Sequence, residues 1–148
     1  MTIDCKIEHI RNRSYMSGID RDDKRIQSTG EVFTPTELVS RILDQLDQSL
    51  FSNPTKTFID PTCGDGQFLG EVLIRKLENN IDFETALTSI YGVDLMPDNV
   101  KLCQDRLLCG HEEFRHIVKK NIVCANTLEY DFLFKNNELY GINLFDFD

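Results

Sequence analysis

Along this chain the apolar positions switch repeatedly between a helical spacing and short unbroken runs. Leu38, Val39, Ile42, Leu43, Leu46 and Leu50 recur at helical intervals and predict one face of an amphipathic helix. Thr34-Pro35-Thr36-Glu37 ahead of them reads as a capping box with proline at the first helical position. Asn53-Pro54-Thr55 marks a turn, Thr57 to Asp60 a first strand, and Pro61 to Gly66 a loop. A helix over roughly Gln67 to Leu77 then buries Phe68, Leu69, Val72, Leu73 and Leu77, and Asn79-Asn80 breaks it. Asp82 can cap a short helix through Ala86 and Leu87, ahead of a second strand from Ile90 to Val93 that ends at Asp94. Pro97 opens a further helix that runs to Gly110. Asn121 to Ala125 reads as a third strand and Leu139 to Phe147 as a fourth.

Strand–helix alternation with continuous apolar strands predicts an α/β fold, a parallel sheet joined by right-handed crossovers. Residues 1–30 show weak periodicity and read as an N-terminal arm with a short helix, ahead of one domain over residues 31–148. At 148 residues a single domain can bury a real core. No apolar run approaches the roughly 20 residues of a membrane span, so no membrane contact and a cytoplasmic location are expected.

Charge restricts the partners. The net charge of −9 would repel a phosphate backbone, so DNA is expected to be met only weakly or indirectly. Arg11, Arg13, Arg21, Lys24 and Arg25 form the one basic concentration, interrupted by Asp20, Asp22 and Asp23, and read as a solvated, partly mobile arm. The five cysteines are scattered without a C-x-x-C pair, and the three histidines lack ligand spacing, so no metal site is expected.

The candidate chemistry lies where the first strand meets its helix, Phe58-Ile-Asp-Pro-Thr-Cys-Gly-Asp-Gly-Gln-Phe68. Gly64 and Gly66 let backbone N–H groups approach a ligand, at the strand edge where open α/β sheets bind small molecules. Leu69 stands where a nicotinamide fingerprint needs its third glycine, and no Gly-Lys-Ser/Thr follows for a P-loop. Asp60 at the strand tip would repel phosphates and suit an ammonium group. Asp94, 28 residues beyond Gly66, can accept the hydroxyls of a ribose. The pair describes a cationic or neutral nucleoside.

With these residues in view, the chain resembles the S-adenosylmethionine-binding part of adenine-specific (N6-adenine) DNA methyltransferases of restriction–modification systems. Gly30-Glu31-Val32-Phe33-Thr34-Pro35 is similar to that family's Phe-Thr-Pro motif, and Asp60 to Phe68 to its Asp-Pro-x-Cys-Gly-x-Gly-x-Phe motif. Tyr91-Gly92-Val93-Asp94 matches the ribose-binding strand end, and Asn121 to Leu128 the next motif. The resemblance covers roughly residues 25 to 132 and implies a Rossmann-like, three-layer methyltransferase sandwich with helices on both faces of the sheet. It further implies an S-adenosylmethionine site made by Phe33, Thr34, Pro35, Asp60, Pro61, Cys63, Gly64, Gly66, Phe68, Asp94, Leu95, Asn126 and Thr127.

The sequence departs from the family in two places. Asn126 stands where an aspartate usually accepts from the adenine of the cofactor, and an amide oxygen accepts more weakly. The family's Asn/Asp-Pro-Pro-Tyr/Phe motif, which holds the flipped target base, is absent, and Asn53-Pro54 precedes the first strand at the wrong edge of the sheet. The expected protein binds the methyl donor, has no catalytic residue of its own and does not methylate DNA alone. A methyltransferase subunit completed by a partner chain, and a remnant that binds nothing, remain open as alternatives. A sheet of about four strands would leave the fourth as an edge, to be covered by a second copy, another protein or the N-terminal arm.

Overall fold

A computed structural model describes residues 1–29 and 31–135. Three strands, β1 (Phe58–Asp60), β2 (Ile90–Asp94) and β3 (Ile122–Cys124), form a parallel sheet in the order β1-β2-β3. Asp60 lies opposite Gly92, and Asp94 opposite Cys124, so all three strands finish at one edge. The expected α/β alternation is therefore present. The predicted fourth strand falls on residues 139–147, outside the described residues.

Side-chain alternation sorts the strands between two cores. Ile90, Ile122 and Cys124 join the larger one, with Leu69, Leu73 and Leu77 of α5 (Gln67–Glu78) and Leu107 and Leu108 of α7 (Pro97–Leu108). Val93 and Val123 face the other way, onto Phe134, Tyr91 and Tyr130. Two more helices close the larger core, α6 (Phe83–Thr88) and α8 (Arg115–Asn121). Asp82 caps α6 as predicted, its carboxylate accepting from the Thr85 N–H at 3.0 Å. The sequence reading passed over α8, although Phe114, Ile117 and Val118 carry the spacing that would have revealed it. No helix among the described residues is long and apolar enough to cross a membrane.

The segment after Thr34 differs from its prediction. Here α3 spans only Thr36–Leu43 and a separate turn of helix, α4, spans Ser49–Ser52. Pro35 is the N-cap and makes no side-chain capping bond, because it has no side-chain acceptor to offer. Val39 and Leu43 point into the core, whereas Leu38, Ile42 and Leu46 stay exposed, so only two of the six stripe residues are buried.

The N-terminal segment differs more. It holds α1 (Ile3–Ile10), two short 3-10 turns and α2 (Asp23–Thr29), and it packs on the body instead of standing in solvent. Ile10 is fully buried, and Arg11 grips Glu71 of α5 through two bonds of 3.1 and 2.8 Å. Arg21 and Arg25 also bind carboxylates of the body. The acid runs that appeared to interrupt a basic patch do not absorb these arginines. Two of their partners, Glu71 and Asp98, are distant in sequence and the third, Glu31, lies beyond the acid runs, which is why local charge pattern misread them.

Candidate functional site

The loop between β1 and α5 is shaped by two left-handed residues. Gly64 has φ 55° and Gly66 φ 97°, conformations that cost a side-chain-bearing residue about 1–2 kcal/mol. At Gly66 an added Cβ would also lie 3.0 Å from the Cys103 sulfur. The loop is clasped to the sheet by the Cys63 N–H bonding the Val93 carbonyl at 2.9 Å. Gly66 then caps α5, and no side chain makes a capping bond to the first turn of that helix.

Helix α7 supports the loop with one face. Asn99, Cys103 and Arg106 fall at i, i+4 and i+7, so they share that face. Arg106 is 1% exposed and donates to three acceptors: Ile10 O at 2.6 Å, Asp65 O at 3.3 Å and Gln67 Oε1 at 2.8 Å. Gln67 in turn donates to the Thr34 carbonyl at 2.5 Å. One buried guanidinium thus connects the N-terminal segment, the glycine loop and the Phe33-Thr34-Pro35 stretch. Its charge in the middle of an apolar helical face was the sequence signal for this role.

Asp94 sits at the tip of β2 and is held by three donors. Its Oδ1 accepts the Gly64 N–H at 3.1 Å, and its Oδ2 accepts the Met96 N–H at 3.0 Å and the Asn99 amide at 3.2 Å. A carboxylate offers about four acceptor positions, so the one left open is on Oδ1. Asp60, at the tip of β1, accepts the Thr62 N–H at 3.0 Å. Burial pushes the Asp60 carboxyl above its ordinary range; the Thr62 bond opposes this and the nearby Asp94 charge reinforces it. Two carboxylates at neighbouring strand tips lining one cleft favour a ligand that carries positive charge.

The cleft measures about 810 Å³, a size that fits a nucleoside-sized molecule. Phe33, Thr34, Asp60, Pro61, Cys63, Gly64, Phe68, Asp94, Leu95, Asn126 and Thr127 all line it. Pro35 and Gly66 do not, since Pro35 caps α3 on the surface and Gly66 lies buried beneath the loop. Cys63 contributes backbone, because its thiol is buried against Cys103; their mutual hydrogen bond and the burial hold it well above the ordinary thiol range. Asn126 turns its Oδ1 back onto the Leu128 N–H at 3.0 Å, so the amide is already part of a turn. Thr127 lines the cleft, and its Oγ1 is buried without a hydrogen-bond partner.

The lining also includes Arg21, Glu31 and Asn99, which sequence reasoning left without a role. Arg21 donates to Asn99 Oδ1 at 2.7 Å, and its Nε lies 3.0 Å from Glu31 Oε2 in a poorly angled ion pair. Arg25 binds Asp98 through two bonds of 2.6 and 2.8 Å and Glu31 through a third of 2.8 Å. Burial works against the Glu31 charge, yet hydrogen bonds from Arg25 and Asn99 and the two guanidinium charges hold its carboxyl below the usual range. Among the described residues no cluster of histidine, cysteine or carboxylate groups could hold a metal ion.

Comparison with known proteins places these features together. Residues 21–141 match the N-6 DNA Methylase family. Over 112 residues the chain is 30% identical to the Type II methyltransferase M.VspI of Vibrio sp. (strain 343), an alignment that covers 72% of the chain. The chain spans about a quarter of that relative's length, 24%. No solved structure gives a significant match.

Proposed function

This chain belongs to the N-6 DNA methylase family, and from that premise we propose that its cleft holds S-adenosylmethionine, the methyl donor of adenine methylation in DNA. The observation that carries the reading is that Asp60 and Asp94, at the tips of neighbouring strands, both line a cleft whose glycine loop carries no lysine. Asp94 offers its open Oδ1 position to a ribose hydroxyl. The first turn of α5 and the Thr34 region face the amino-acid end, where Asp60 attracts an ammonium group. Thr127 and Asn126 lie where the base would rest. When bound, the cofactor supplies an electrophilic methyl group on a sulfonium.

Donor binding and transfer are separable. Transfer needs a group that orients the acceptor amine in line with the donor, and residues 1–148 contain no Asn/Asp-Pro-Pro-Tyr/Phe sequence. The isolated chain therefore binds the donor, and methylation of DNA requires acceptor elements supplied by a partner or by further sequence. Titration calorimetry with S-adenosylmethionine tests the first statement: the wild type binds, and Asp94→Ala loses about tenfold or more in affinity. Absence of binding by the wild type overturns the reading. A tritiated-methyl assay on unmodified DNA tests the second, and labelled DNA from the isolated chain would overturn it.

A further inference from the structure

We infer that Asn99, held in place by Arg21, is the positioning residue that sets the Asp94 carboxylate for ribose recognition, so that the N-terminal segment controls cofactor affinity. Asn99 is 2% exposed and sits in the first turn of α7, with both ends of its amide engaged. Its Oδ1 accepts from Arg21 Nη2 at 2.7 Å, while its Nδ2 lies 3.2 Å from Asp94 Oδ2 and 3.4 Å from Glu31 Oε2. Guanidinium can only donate and carboxylate can only accept, so these partners allow one orientation of the amide.

That orientation has a consequence for the ligand. With the Met96 N–H and the Asn99 amide both on Oδ2, the open acceptor position of Asp94 is confined to Oδ1, beside Gly64. If Asn99 were free to turn, its oxygen would face two carboxylates and Asp94 would lose the contact that fixes its rotamer. Arg21 prevents this, and Arg21 is itself anchored by Glu31 and, at 3.6 Å, by Asp98. Arg21 lies on one side of Asn99 and Asp94 and Glu31 on the other, with Asp98 and Arg25 completing the network. A residue of the N-terminal segment thus reaches the ribose end of the cleft through a single side chain.

The inference rests on the reading of Asp94 as the ribose acceptor, and the test separates the two. The probes are S-adenosylhomocysteine and its 2′,3′-dideoxy analogue, titrated calorimetrically into the wild type, Asn99→Ala, Arg21→Met and the double variant. Wild type should prefer the ribose form by about tenfold. Asn99→Ala should lose most of that preference, weakening S-adenosylhomocysteine about tenfold while moving the dideoxy analogue less than about twofold. Arg21→Met should act the same way by about threefold to fivefold, and the double variant should be no worse than Asn99→Ala, because both act on one contact. Equal losses for both probes, or no loss for either, overturn the inference, as the first is what a merely structural role produces. Should Asn99→Ala not fold, Arg21→Met carries the same comparison with Asn99 in place. A wild type that binds both probes equally overturns the ribose reading itself, and this inference with it.

Discussion

Two arginine networks flank the cleft, one buried beneath the glycine loop and one nearer solvent where the N-terminal segment meets α7, and they differ in how far water reaches them. On the buried side Arg106 reaches two backbone carbonyls and the Gln67 side chain, with the Asp65 carboxylate 3.6 Å away. Burial lowers the pKa of this guanidinium, so the protein spends interaction energy to keep it charged. On the solvent side Arg25 faces Asp98, which is 54% exposed, and the hydrogen bonds to that carboxylate raise the arginine pKa despite partial burial. Where no water can replace a lost partner, an arginine is part of the fold. Where water can, it can be part of recognition without being needed for folding.

Replacing Arg106 is the sharpest way to break this contrast. Arg106→Met leaves Ile10 O, Asp65 O and Gln67 Oε1 without their donor in a dry site, and should cost about 3–5 kcal/mol in urea denaturation. Arg106→Lys should recover only part of this, because one ammonium cannot serve three acceptors in a planar fork. A variant within about 1 kcal/mol of wild type would show that the buried network is dispensable.

Glu71 gives the intermediate case. Its side chain is 3% exposed while its partner Arg11 is 45% exposed, so one end of the pair is dry and the other wet. Glu71→Gln should cost about 1.5 kcal/mol, between the buried and the solvent-side networks, and should loosen α1 from α5 in hydrogen exchange. A cost as large as that of Arg106→Met would mean that the partner's exposure does not matter.

Asp60 should move stability the other way. Its folded carboxyl sits above the ordinary value, so the native state binds more protons than the unfolded one just above pH 4. By linkage the apo protein loses stability as pH rises through that raised value, and ionised Asp60 remains a cost at neutral pH. Asp60→Asn should therefore stabilise the apo protein by about 0.5–1 kcal/mol at pH 7 and weaken S-adenosylmethionine binding. A loss of stability instead would place Asp60 among the structural carboxylates.

How much of this was legible depended on whether the signal was local. The β1–loop–α5 corner, the two strand-tip acids and the Asp82 cap are each written in a few adjacent residues, and each forms where expected. The N-terminal segment was misread because Arg11, Arg21 and Arg25 each also find a partner 60 to 78 residues away, a distance that charge patterning along the chain cannot see. Asn99 was hidden for the same reason: it stands among ordinary helix-start residues, and only the fold brings Arg21 and Asp94 to its two ends. The helix after Thr34 was read as too long, because an apolar stripe reports potential burial and only Val39 and Leu43 of it meet the core.

The smallest expected effect belongs to Arg25. Arg25→Gln removes the paired bonds to Asp98 and the bond to Glu31, yet water can reach both acids, so stability at neutral pH should change by less than about 1 kcal/mol. Acid should erase that difference. Asp98 is held below its ordinary value chiefly by its bond to Arg25, and Glu31 is held low by the same arginine against the effect of burial. Depressed carboxyls contribute stability that is complete above their unfolded values, roughly pH 4, and is lost as pH falls through their folded ones. The wild type should therefore shed stability on that acid limb, and Arg25→Gln should show a shallower slope there, starting from a pH 7 plateau lower by the same small amount and meeting the wild type in acid. A steep acid limb retained in the variant would move the contribution from Arg25 to Arg21, and with it the hold on Glu31.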